Sequence, residues 1–195
     1  MAPLLRISAL IDALNERVGK TVYWLVLATV LISAGNAIMR KMFSMSSNAW
    51  LELQWYLFSA VFLLCSGYTL LRNEHVRIDV VTGRLSHRAQ AWIDVLGTLF
   101  FLLPMTVTIM VMSWPYFMRS YTEHEISGSA GGLVLWYARI LLPAGFFLLS
   151  LQGISELIKR IAFLAGKGPD PVKRHDHTSE AELVEEIRRM AEGKG

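Results

Sequence analysis

WIDVLGTLFFLLPMTVTIMVM, residues 92–112, contains one ionisable side chain, Asp94, close to its start. Wound as an α-helix, this stretch is about 30 Å long, which is the thickness of a bilayer's hydrocarbon core. It has no charged face at helical or strand spacing, so an aqueous surface does not explain it. In hydrocarbon every backbone N–H and C=O must be satisfied within the protein, and a helix does this inside one segment. Pro104 lies near the centre and predicts a kink. Trp114, Tyr116 and Phe117 follow as an aromatic belt at the interface.

Three more stretches of this kind flank it. The first covers about 22–39; it opens on Tyr23 and Trp24, and its far half carries Ser33, Ala34, Gly35, Asn36 and Ala37, small residues that let helices approach closely. The second covers about 50–71, with Glu52 and Gln54 set among Trp50, Trp55 and Tyr56, Ser47 or Asn48 as its cap, and Ser66–Gly67 as a close-packing point. The fourth covers about 133–158 and contains Arg139, Pro143, Gln152 and Glu156. With 53% hydrophobic and 18% charged residues overall, the chain has too little charge for a soluble surface. The expectation is an all-α integral membrane protein with four transmembrane helices.

The remainder divides into two flanking parts. Over 4–20, Leu4, Ile7, Ile11, Leu14 and Val18 recur at spacings of three and four, while Asp12, Asn15, Glu16 and Arg17 fall largely elsewhere on the wheel. This predicts an amphipathic interfacial helix, broken at Gly19 before the membrane domain of 21–160. No small-residue cleavage site follows a short apolar run, so the first span is expected to persist in the mature chain. The connector 72–91 interleaves Arg72, Arg77, Arg84 and Arg88 with Ile78, Val80, Val81 and Leu85, as a half-buried interfacial helix would, and Ser86 can cap the helix after it. Gly166, Gly168, Pro169 and Pro171 open a linker in 161–195, and 179–190 reads as a short cytoplasmic C-terminal helix with Ser179 and Glu182 as its capping box.

A net charge of +3 invites a nucleic-acid reading, but the cations cluster at the ends of apolar blocks, as membrane topology requires. Arg6, Arg17 and Lys20, the connector arginines, and Lys159, Arg160 and Lys167 lie on one side; Arg40, Lys41 and Arg119 lie on the other. The positive-inside rule puts both termini in the cytoplasm.

The five histidines, His75, His87, His124, His175 and His177, lie outside the spans, which argues against haem ligation. There is no cysteine–histidine metal spacing, no glycine-rich phosphate loop and no nucleophile beside a base, and Cys65 is the sole cysteine. No catalytic residue, cofactor or metal site is predicted. The ionisable residues within spans are the suspects that remain: Glu52, Asp94, Arg139 and Glu156. Opposite span directions put Arg139 and Glu52 in the same half of the membrane, and an arginine in hydrocarbon seeks a carboxylate, so these two are expected to pair. Helix fastening, a subunit contact and solute handling all remain open for them. An oxidoreductase membrane anchor is the rival reading, and it would need the in-span histidines that are absent.

The run Trp50-Leu51-Glu52, then Gly67-Tyr68-Thr69-Leu70-Leu71-Arg72-Asn73-Glu74-His75-Val76-Arg77-Ile78-Asp79-Val80, resembles the small membrane subunit of tripartite ATP-independent periplasmic (TRAP) transporters. Leu142-Pro143-Ala144-Gly145-Phe146 and Gln152-Gly153 fit it too, and the resemblance covers roughly 5–165. The longer form resembles the branch labelled for mannitol or chloroaromatic compounds. The resemblance implies a subunit of a sodium-driven importer of organic acids in the bacterial inner membrane. Its partners would be a large membrane subunit, which holds the sodium and solute sites, and a periplasmic solute-binding protein. The small subunit would brace the large one and help dock the binding protein. It further marks Glu52, Gly67, Arg72, His75, Arg77 and Asp79 as motif positions. In that frame the cationic Arg72, His75 and Arg77 suit a cytoplasmic helix end, and Asp79 suits the turn that follows. Arg40, Lys41, Arg119, Glu123 and Glu125 are the candidates for touching the binding protein.

Overall fold

A computed structural model describes residues 2–44, 47–73 and 85–168. Four helices in it are long and apolar enough to cross a membrane. They are α1 (Ala2–Phe43), α2 (Asn48–Leu71), α3 (His87–Thr122) and α4 (Trp136–Leu164). The expected C-terminal helix, the centre of the connector, and His75, Arg77 and Asp79 lie outside the described residues.

The helices alternate in direction. One end of the bundle gathers the starts of α1 and α3 with the finishes of α2 and α4; the other carries the loop between α3 and α4. α4 packs against all three others, and α1 lies along both α2 and α4. Glycines set how closely the axes approach. A Cβ on Gly145 would sit 2.7 Å from the Leu63 carbonyl oxygen, and one on Gly153 would sit 2.7 Å from Leu102 Cδ2. Gly67 is the point where α1, α2 and α4 converge, because a Cβ there would meet Asn15 Oδ1 and the Leu148 carbonyl.

α1 departs from the expected two-part form. It is one unbroken helix of 42 residues, about 60 Å long. Gly19 does not break it. Its missing Cβ instead leaves room for the Tyr68 ring of α2. The amphipathic segment also faces the opposite way to a surface helix. Ser8 and Asn15 are 2% and 1% exposed, whereas Leu10 is 71% exposed. Outward apolar side chains cost nothing against lipid, while polar side chains have partners only inside the bundle. Trp24, Trp55, Phe62, Phe101 and Met112 face outward in the same way.

Pro104 is accommodated by a widened turn. Residues Thr98–Leu102 form a π-helical turn directly before it, with Leu103 N–H donating to the Thr98 carbonyl. A proline lacks the donor for the carbonyl four residues back and its ring crowds that carbonyl, so a wider turn relieves both defects. The turn seats against Gly153 of α4. At the start of α3, Ser86 accepts from Ala89 N–H as expected. Ser47 precedes α2 in extended conformation but makes no capping bond through its side chain.

Candidate functional site

Two polar clusters stand out in the bundle, one at each end. The first is built on the loop between α3 and α4. Residues 123–135 double back as a short hairpin: Ser127 N–H donates to the Leu133 carbonyl at 2.9 Å and Leu135 N–H to the Glu125 carbonyl at 3.0 Å, with an antiparallel bridge between Ile126 and Val134. Gly131 turns the chain at φ +72°, which glycine adopts without strain.

Glu52, one turn into α2, grips this hairpin from below. Its carboxylate accepts from Leu133 N–H at 2.7 Å and from the Ser127 hydroxyl. Asn48 donates to the Ala130 carbonyl at 3.2 Å. Arg139, in the first turn of α4, closes the hairpin's base by a bidentate pair with Glu125, one arm of which is 2.7 Å. Its guanidinium lies 4.0 Å from the Tyr116 ring centre. Trp114, Phe117, Tyr121, Trp136 and Tyr137 continue as a ladder of ring contacts.

The expected pairing of Glu52 with Arg139 is therefore corrected: each binds the hairpin, and the hairpin joins them. The loop brings its own carboxylate, Glu125, to Arg139, and Glu52 is left to satisfy loop donors that lipid cannot. Glu125 is thereby engaged within the chain. Arg119 and Glu123 pair with each other at 3.0 Å on an exposed face, and Arg40 and Lys41 are exposed at the end of α1.

The second cluster lies at the opposite end, between α1, α3 and α4. Asp12 accepts from Gln152 Nε2 at 2.9 Å, from Ser155 Oγ at 2.7 Å and from Lys159 Nζ at 3.1 Å. Gln152 accepts in turn from Asn15 Nδ2 at 3.0 Å. The Ser8 and Ser155 hydroxyls lie 2.7 Å apart. Glu156 pairs with both Lys159 and Arg160, and Arg160 Nε reaches Asp94 at 2.9 Å. Gln152 and Ser155 are fully buried, and Glu156 and Arg160 nearly so. Beside it, Arg72 reaches Glu16 at 3.4 Å and lies over the Tyr68 ring, while Lys20 meets Glu16 at 2.9 Å.

Asp94 and Glu156 were visible in the sequence as charges near span ends. Asp12, Gln152, Ser155, Lys159 and Arg160 were not read as one network. A signal existed: Ser8, Asp12, Asn15 and Gly19 share one face of α1, and Gln152, Ser155, Glu156 and Lys159 share one face of α4. Both clusters are composed largely of groups that satisfy one another, which fastens helices and loop; Asn15 Oδ1, buried without a hydrogen-bond partner, is an exception. Among the described residues no group of three or more His, Cys, Asp or Glu side chains is placed to hold a metal ion.

Neither the curated proteins nor the solved structures contain a match to the chain. One family model does match, that of the DctQ component of tripartite ATP-independent periplasmic transporters, over residues 29–163. That match runs from the latter part of α1 through α2 and α3 to the end of α4 and covers more than half of the chain, so the protein, a multi-pass membrane protein and not an enzyme, belongs to the family of small membrane components of these transporters.

Proposed function

We propose that this component is the fixed brace of a sodium-driven importer of organic acids. It holds the large membrane subunit on its outward apolar faces and presents the hairpin end to the solute-binding protein. The observation that carries the reading is where the polar groups are spent. Asp12, Asp94, Glu156, Lys159 and Arg160 are tied to one another at one end, and Glu52, Glu125 and Arg139 to the hairpin at the other. A transport path needs polar groups free to meet a solute near mid-membrane. The glycine contacts at Gly67, Gly145 and Gly153 likewise favour a rigid bundle over a moving one.

In this arrangement both termini are cytoplasmic and the hairpin end faces the periplasm, in the bacterial inner membrane. Arg119 and Glu123 then stand beside the hairpin where the binding protein lands. Sodium and solute are handled by the large subunit, and this chain holds no cofactor. The oxidoreductase-anchor alternative falls with the family match.

Reconstitution tests the reading. Proteoliposomes containing this chain, the large subunit and the binding protein should accumulate solute under an inward sodium gradient; omitting this chain should abolish uptake. Sodium-driven uptake by this chain alone would overturn the proposal.

A further inference from the structure

At the hairpin end, α1 and the start of α2 enclose an open groove of about 560 Å³, lined by Leu31, Ile32, Gly35, Asn36, Met39 and Trp50 among others. Open space lies over Gly35, where a Cβ would meet nothing within 4 Å. The groove's walls are mostly apolar, with Asn36 and Ser47 as the polar residues among them. Helical spacing puts Arg40 one turn beyond Asn36 on the same face of α1, while Lys41, the next residue, turns about 140° away from Asn36. Both are exposed, and neither enters an ion pair among the described residues. Trp50 stands at the groove with half its surface exposed, as a tryptophan at the headgroup level does.

We propose that this groove is a binding site for an anionic phospholipid. One acyl chain lies along Gly35 between α1 and α2, and the phosphate meets Arg40. Two independent features point to this occupant. The groove matches a tail in chemistry, and Arg40, one turn beyond Asn36, is exposed with no ion pair among the described residues, so its charge complements a phosphodiester. The inference does not depend on the transport reading, because it concerns lipid affinity and not uptake.

Native mass spectrometry of the full chain, released from detergent with added phosphatidylglycerol or phosphatidylcholine, tests it. A retained one-lipid adduct is expected for phosphatidylglycerol at concentrations where phosphatidylcholine gives little. Arg40→Gln should weaken the adduct about fivefold, whereas Lys41→Gln, on the other side of the helix, should change it little. Gly35→Leu fills the groove and should abolish the adduct while both cations remain. Circular dichroism and elution volume confirm that each variant is folded. Equal adducts for the two lipids, or adducts unchanged in Gly35→Leu, would overturn the proposal. So would a groove that excludes lipid in the assembled complex and instead cross-links from Gly35→Cys to the large subunit.

Discussion

Two glycines of α4 should respond to the same substitution with opposite sign. At Gly145 an alanine Cβ would lie 2.7 Å from the Leu63 carbonyl oxygen, 2.8 Å from Leu63 Cβ and 2.9 Å from the Leu63 carbonyl carbon. Carbon atoms pack best at about 3.5 Å or more, so α2 must retreat by roughly 0.7 Å. The obstacle is mostly backbone, so no rotamer change relieves it. Overpacking of this kind costs about 1–3 kcal/mol. Alanine returns about 1 kcal/mol through its better helix propensity. The net expectation for Gly145→Ala is a loss of up to about 2 kcal/mol.

At Gly153 the near atom is Leu102 Cδ2 at 2.7 Å, with Leu103 Cδ2 at 3.3 Å and Thr98 Cγ2 at 3.7 Å. These are tips of side chains, and Leu102 can turn aside. The propensity gain then prevails, and Gly153→Ala should be neutral or stabilise by up to about 0.5 kcal/mol. Thermal unfolding of the detergent-solubilised protein, followed by tryptophan fluorescence, reads both. A midpoint lowered in Gly145→Ala and held or raised in Gly153→Ala is the predicted pattern. Equal shifts, or a stabilised Gly145→Ala, would refute the claim that backbone contact at Leu63 sets the spacing of α2 and α4.

Arg160→Met should be destabilising, by about 3 kcal/mol in chemical unfolding, because it removes the buried cation that joins Asp94 to Glu156, which then keeps only Lys159 as a charged partner; adding Asp94→Asn should recover part of the loss, and a double variant no better than the single one would show that the pair is not coupled. Arg139→Lys keeps the charge but loses the two-armed contact to Glu125. Proteolytic nicking within 123–135 should therefore quicken while helix content is unchanged. Glu52→Ala removes the acceptor for Leu133 N–H and the Ser127 hydroxyl, so amide exchange at Leu133 should speed by about tenfold, whereas Glu52→Gln retains most of the protection.

The membrane class was legible in the sequence because hydrocarbon imposes a length and a composition on each span, and 92–112 meets both. The helix observed there runs further, over His87–Thr122, since the apolar stretch marks what lipid must cover and not where the helix ends. The family was legible from the run Gly67–Val80, and Gly67 was readable as a packing point, whereas Gly145 and Gly153 entered only through the family resemblance. The segment 4–20 was readable as amphipathic, but not as to which face turns inward. A polar stripe is the outer face in water and the inner face in lipid, and its spacing is the same in both. Only the packing of α1 on α4 decided that Ser8, Asp12 and Asn15 are interior. The partner of Arg139 was likewise beyond the sequence. Span direction brings Glu52 to the right half of the membrane, yet the choice of carboxylate turns on a hairpin that folds back over a few ångströms. Lipid fixes which segments are helices and where they sit along the membrane normal. Contacts between helices and loop fix rotation about each axis, and only that rotation determines which charges meet.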